Sequence, residues 1–197
     1  MRHLLASIST IIALSLPALA SATVWNIDPD HSSVGFKVRH LMVSNVRGSF
    51  DKQSGVVDIN DKDITKSKVN VTIDTASINT NVQKRDEHLR GADFFDVAKY
   101  PTMTFVSKKI VRTGKDKLQV TGDLTLHGIT KEVVLDVEGP TGASKDLYGN
   151  LRSGAVASTK INRKDFGLVW NKALETGGVA VGEEITINLE IEMIKGK

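Results

Sequence analysis

The chain has 197 residues, 40% hydrophobic and 25% charged, with a formal net charge of +3 and no cysteine. That length suits one domain able to bury a substantial core, and the absence of cysteine excludes disulfides, thiol catalysis and thiolate metal sites. Charge is interspersed without a basic run, which argues against a nucleic-acid partner and gives no reason to invoke anionic membranes.

Residues 1–22 read as a cleaved signal peptide. Arg2 supplies the charge, Leu4 to Leu19 is largely apolar, and two A-x-A sites follow: Ala18-Leu19-Ala20 and Ala20-Ser21-Ala22. A membrane anchor needs about 20 apolar residues; this run is shorter and carries Ser, Thr and Pro17. The expectation is an exported, periplasmic protein with one domain over 23–197 and no integral membrane segment after cleavage.

Next come segments of period 2. Val24 to Asp28 is a short strand ended by Pro29. Ser33 to His40 places Val34, Phe36, Val38 and His40 on one face. Leu41-Met42-Val43-Ser44 breaks the alternation and reads as one helical turn. Val46–Asp51 and Gly55–Ile59 form a strand pair or one bent strand. Lys68 to Asp74 sets Val69, Val71 and Ile73 against Asn70 and Thr72. Asn79 to Arg90 is helical: Thr80 and Gln83 form a capping box, and Gly91 is the stop. A short loop then carries Phe94, Phe95 and Tyr100. Thr102 to Val111 is a strand with Met103 and Phe105 on one face.

Leu118 to Val137 reads as a long hairpin. Leu118, Val120, Leu124 and Leu126 share a face with Gly122, and Val133, Leu135 and Val137 share a face on the return arm. Gly128-Ile129 serves as a two-residue turn with Gly supplying positive φ. That turn pairs Leu124 with Val133, Gly122 with Leu135 and Val120 with Val137. The first arm would span about 30 Å. After a turn-rich connection, Leu151 to Ile161 is a strand with small inward residues, Ala155 and Ala157. Asn162 to Gly182 is irregular. Glu184 to Ile194 closes the chain with Ile185, Ile187, Leu189, Ile191 and Met193 inward. About eight strands, one capped helix and regular turn signals describe an antiparallel all-β protein with one short helix, either a closed barrel or a two-sheet sandwich. The long apolar terminal strand favours closure, because an exposed edge of that kind aggregates.

Several blocks resemble the YceI-like family of exported bacterial proteins: Trp25-Asn26-Ile27-Asp28, His31-Ser32, Phe36-Lys37-Val38-Arg39-His40 and Val46-Arg47-Gly48-Ser49-Phe50. The resemblance continues through Arg85-Asp86-Glu87-His88-Leu89, Asp93-Phe94-Phe95-Asp96 and Gly122 to Lys131, then Asn162-Arg163-Lys164-Asp165-Phe166-Gly167-Leu168 with Trp170. It spans the mature chain in the family's order. It implies an elongated eight-stranded lipocalin-like barrel around an apolar tunnel that holds a polyisoprenoid or another long-chain amphiphile, for transport, storage or a stress response. Members are linked to isoprenoid quinones. It supplies no catalytic residues.

The candidate ligand-binding residues lie on the inward rows: Val34, Phe36 and Val38; Val71 and Ile73; Met103 and Phe105; Leu124 and Leu126; Ile187, Leu189 and Ile191. Gly122, Ala155 and Ala157 leave space there, although an eight-stranded barrel can equally fill with side chains. Phe94, Phe95, Phe166 and Trp170 are expected around the entrance. The Arg85–Asp86 and Arg163–Asp165 pairs read as structural ties of irregular segments to the barrel, with Arg163 the better candidate of the two for a polar head group. His31, His40, His88 and His127 lack helical metal-site spacing and read as structural, so no metal and no cofactor is expected, with a zinc set assembled from separate strands left open as the alternative. Enzyme motifs are missing. The alternatives are a hydrolase or isomerase acting on a lipid-like substrate, which needs a polar dyad in the cavity, and a surface-binding module with a packed interior. The oligomeric state stays open, a homodimer among the options.

Overall fold

The alternating segments become strands β1 (Ala22–Ile27), β2 (Ser33–His40), β3 (Ser44–Phe50), β4 (Gln53–Asn60), β5 (Lys68–Asp74), β6 (Ile78–Asn79), β7 (Thr102–Gly114), β8 (Lys117–Leu126), β9 (Ile129–Glu138), β10 (Ser144–Lys145), β11 (Leu151–Asn162) and β12 (Val181–Lys195), with one helix, α1 (Gln83–Arg90). The computed structural model describes residues 22–175 and 177–196. The expected leader lies outside the described residues except for Ala22, which pairs with Asn60.

The strands close a ring in the order β11-β9-β8-β7-β5-β4-β1-β12, with β12 returning to β11. All neighbours are antiparallel. The ring is an eight-stranded antiparallel β-barrel, so the apolar terminal strand has no free edge. β12 makes this possible by its length. It pairs with β11 from Glu184 to Ile194 on one side. On the other it pairs with β1 through Met193–Lys195 and with β2 through Ile185–Glu190. β1 and β2 are therefore two pieces of one barrel wall, interrupted where Pro29 and the Asp28 side chain, accepting from the Asp30 N–H, make a 3-10 turn. β3 and β4 repeat the arrangement, pairing with β2 and β1 respectively; they are one bent strand and not a pair.

Three local expectations change. The long hairpin turns at His127-Gly128, both with positive φ (51° and 74°), so Leu126 faces Ile129, Leu124 faces Lys131 and Gly122 faces Val133. The expected register was two residues away, a slip that leaves every side chain on its own face. A turn with φ > 0 at both central residues matches the strand twist, and here it outweighs the lack of a second glycine. Leu41-Met42-Val43 is a hairpin turn with Leu41 and Met42 left-handed (φ 49° and 60°), not a helical turn. Thr80 does not cap α1: the helix starts at Gln83 behind Val82, which makes no side-chain cap. Instead the buried Asp86 carboxylate accepts the Thr80 hydroxyl at 2.5 Å and its backbone N–H at 2.9 Å, while the Arg85 Nε–H donates to the same hydroxyl oxygen at 2.7 Å.

The helix and the segment after it cover one end of the barrel. Phe95 meets Phe50 edge-on at 5.4 Å, and Phe50 lies 5.8 Å from Phe36, so the plug is continuous with the inward row of β2.

Candidate functional site

The inward rows enclose a cavity of about 280 Å³ whose wall is almost wholly hydrocarbon. The polar side chains in the wall are those of Ser67, Thr159 and Arg163. Among the described residues no Asp, Glu, His, Lys or Tyr contributes to it. The volume lies just below the roughly 300–1,000 Å³ usual for ligand pockets.

Fifteen of the residues expected from the sequence stand in this wall: Val34, Phe36, Val38, Val71, Ile73, Phe94, Phe95, Met103, Phe105, Leu124, Leu126, Arg163, Ile187, Leu189 and Ile191. Phe166 and Trp170 do not. Phe166 is 2% exposed and locked in the core beside Leu168. Trp170 packs on Phe94 at 5.2 Å and on His88 at 5.1 Å, outside the lining. Ala155 and Ala157 do open on the cavity. Gly122 does not, because the Phe105 ring fills the space its side chain would take.

The cavity also runs further than the sequence suggests, past Ile64, Ser67, Ile110, Leu118 and Val137. Ile110 is five residues from Phe105, so strict alternation would put it outside. A β-bulge between Ser107 and Lys109 resets the parity and turns both inward. The excess of charged residues between them, Lys108 and Lys109, is the only trace of this in the sequence.

Arg163 is 3% exposed and makes no ion pair with Asp165 or any other carboxylate among the described residues. Its guanidinium donates to the carbonyls of Gly182 (2.8 Å), Val181 (3.3 Å) and Leu168. Asn162 caps the 3-10 turn that carries it, by accepting from the Lys164 N–H. Burial pulls its pKa below the ordinary arginine value, with Glu183 opposing. Three of the five N–H groups are used by these carbonyls, and the wall that Arg163 joins is almost wholly hydrocarbon.

A second polar cluster, absent from the sequence reading, lies outside the cavity. Arg152 donates to Asp28 (2.6 Å), Asp146 (2.7 Å) and Glu192 (2.5 Å), and His31 Nδ1 lies 2.8 Å from Asp28. Burial raises the Asp28 pKa, but hydrogen bonds from Arg152 and His31 outweigh it and hold the carboxyl below its usual range. Hydrogen bonds from Arg152 and then Asn150 hold Asp146 well below its own. Asp28, His31 and Glu192 bring three possible ligand atoms within 4.8 Å of one another. The guanidinium already bridges two of them, so a metal ion would have to displace a resident cation. Two other histidines make local contacts: His88 with Asp93 at 2.9 Å, and His127 against the Tyr100 ring, centroids 4.4 Å apart and planes tilted by 58°.

An eight-stranded antiparallel barrel around an apolar cavity places the chain among small barrels able to hold one apolar molecule. The chain belongs to the YceI-like family: residues 25–193 match the YceI-like domain. It is 45% identical over 157 residues to a UPF0312 protein of Vibrio parahaemolyticus, covering 79% of this chain and 82% of that one. Among solved structures it is similar to a Campylobacter jejuni YceI protein, with a TM-score of 0.68, 37% identity, and 80% and 90% of the two chains covered. A polyisoprenoid binding domain from Saccharophagus degradans shares the fold, with a TM-score of 0.64 at 18% identity over 87% and 98% of the chains.

Proposed function

We propose that the protein is a periplasmic carrier or store that binds one polyisoprenoid, or a similar long-chain amphiphile, inside the barrel. The observation that carries this is the hydrocarbon wall of the cavity, which offers a chain burial and almost nothing polar. Each buried CH₂ contributes about 0.8 kcal/mol, less the cost of ordering the chain. A barrel of this fold in Saccharophagus degradans is a polyisoprenoid binding domain, so the scaffold is compatible with such cargo. Arg163 is the charged residue of the wall, but its guanidinium is given over to the carbonyls of Leu168, Val181 and Gly182, so the chain and not the head group supplies the affinity. What supports binding over hydrolysis or isomerisation is that the wall holds no pair of titratable groups among the described residues.

The test is native mass spectrometry of protein exported to a bacterial periplasm, with organic extraction and offered prenyl quinone. A 1:1 prenyl or acyl adduct is the expected result. No adduct from either route would overturn the reading in favour of an empty or side-chain-filled barrel with a surface partner.

A further inference from the structure

The β2–β3 hairpin ends in a turn whose residues fit neither the turn nor the solvent. Leu41 and Met42 both have positive φ, a conformation normally left to Gly, Asn or Asp. They are 41% and 39% exposed, and Val43 is 77% exposed. The turn is nevertheless held firmly. The Leu41 N–H donates to Ala180 at 2.8 Å and the Val43 N–H to His40 at 3.1 Å. The Arg39 guanidinium donates to the Met42 carbonyl at 2.8 Å. Three bulky apolar side chains are thus displayed on a rigid tip at a backbone cost, which marks a functional surface.

Behind the tip, the outward face of the hairpin is basic. Lys37 and Arg47 face each other directly across the ladder, and Arg39 is next along. Like charges placed opposite repel. No carboxylate lies within ion-pair distance of any of the three among the described residues; the nearby Glu183 and Glu184 are taken by Lys164 and Lys160. The linear sequence has no basic run and gives no reason to invoke an anionic membrane, but the ladder brings Lys37 and Arg47 together, and an apolar tip followed by unneutralised cations is complementary to the surface of an anionic bilayer. Its place in the fold matters as well. Val38 lines the cavity three residues before the turn, and so do its partner Ile185 and Val181, the partner of His40. The hairpin therefore stands on the rim at the same end of the cavity that α1 and the segment after it cover.

We propose that the β2–β3 hairpin docks the barrel on an anionic phospholipid surface, Leu41, Met42 and Val43 entering the interface and Lys37, Arg39 and Arg47 lying against the head groups. Docking turns the Val38–Ile185 end of the cavity towards the lipid. Only this last step, the exchange of a chain between bilayer and cavity, rests on the function proposed above.

The experiment is flotation of the mature protein with vesicles of phosphatidylcholine alone or mixed with phosphatidylglycerol. Wild type floats with the mixed vesicles, much less with phosphatidylcholine, and is released by salt. Met42→Ser/Val43→Ser and Lys37→Gln/Arg47→Gln each lower the bound fraction, on the order of tenfold. Leu147→Ser/Tyr148→Ser is the control, since Leu147 and Tyr148 are 100% and 88% exposed. They precede the start of β11, where Leu151 pairs with Lys145. The docking end instead lies by Asn162 and Glu184, about 33 Å away along the strand. The control binds like wild type. The proposal is overturned if wild type ignores mixed vesicles, if the tip variants bind unchanged, if the control is the variant that loses binding, or if the tip variants instead abolish a lipid-free self-association seen by sedimentation. Delivery of prenyl quinone from cyclodextrin, without vesicles, separates the two ideas. Tip variants load normally by that route and slowly from vesicles; a wild type that takes nothing from cyclodextrin defeats the cargo reading, while vesicle flotation still decides docking.

Discussion

Phe105 occupies the space in which a side chain at residue 122 would stand: a Cβ on Gly122 would fall 2.5 Å from Phe105 Cζ and 2.6 Å from the Val106 carbonyl oxygen. Phe36 lies over Gly48 in the same way, again 2.5 Å from the added Cβ. The aromatic rings are thereby laid flat against the wall, which keeps the interior open despite their size.

Gly122→Ala should therefore destabilise the barrel by about 1–3 kcal/mol through overpacking. Gly142→Ala is the comparison, because nothing lies within 4 Å of a Cβ there; it should stay within about 0.5 kcal/mol of wild type. Urea unfolding checks both: the midpoint falls for the first, with the slope unchanged.

Ala157 faces the cavity between Val137 and Leu189. Ala157→Phe should fill it at mid-height, keep the β-sheet circular dichroism of wild type and weaken prenyl-chain binding by roughly tenfold or more, the equivalent of about 1.4 kcal/mol of lost contact. Titration with a fluorescent prenyl analogue measures this.

Arg163 ties the Leu168 carbonyl to those of Val181 and Gly182. Arg163→Met leaves three carbonyls without that donor and should cost about 2–4 kcal/mol. Arg163→Lys should recover little, since an ammonium cannot reproduce the planar fork. Thermal unfolding of both variants decides the point: full recovery by lysine would mean that charge, and not geometry, holds the segment.

Acid should loosen the barrel through Arg152. Asp28 and Asp146 have depressed pKa values in the folded protein. Their contribution is present above the unfolded carboxylate value of about 4 and is lost as pH falls from there towards the folded values. Stability should be flat from neutral pH to about 5 and decline below about 4. Arg152→Gln should lower the neutral plateau and flatten the acid limb, so that the two curves converge at low pH. Urea midpoints taken across the pH range test the convergence.

Much of this architecture is legible in the residues because face parity is a local property. Val34-Phe36-Val38 and Ile185 to Met193 announce their inward rows without reference to anything else. Register is not local. Sliding Leu124 from Lys131 to Val133 changes no side chain's face, and only the left-handed geometry of His127-Gly128 distinguishes the two. The bulge at Ser107–Lys109 hid Ile110 for a related reason: it alters parity with no strong residue signature. Asp28, Asp146, Arg152 and Glu192 are scattered over the whole chain, so no spacing could bring them together. Thr80 looked like a cap because its pattern fits one, and the buried Asp86 claimed it first. The apolar cavity lay between these cases: its rows were readable, while its emptiness depended on how Phe105 settles on Gly122.

β12 touches β11, β2 and β1 at once, and it is the final strand in chain order. Ring closure must join Trp25 to Lys195, a contact of very high sequence separation, which slows folding. A chain still being released would expose the apolar rows of β1, β2 and β11 until the fifteen residues of β12 arrive. For that interval the interior is an open trough, accessible along its length to a hydrocarbon chain or to another unfinished copy.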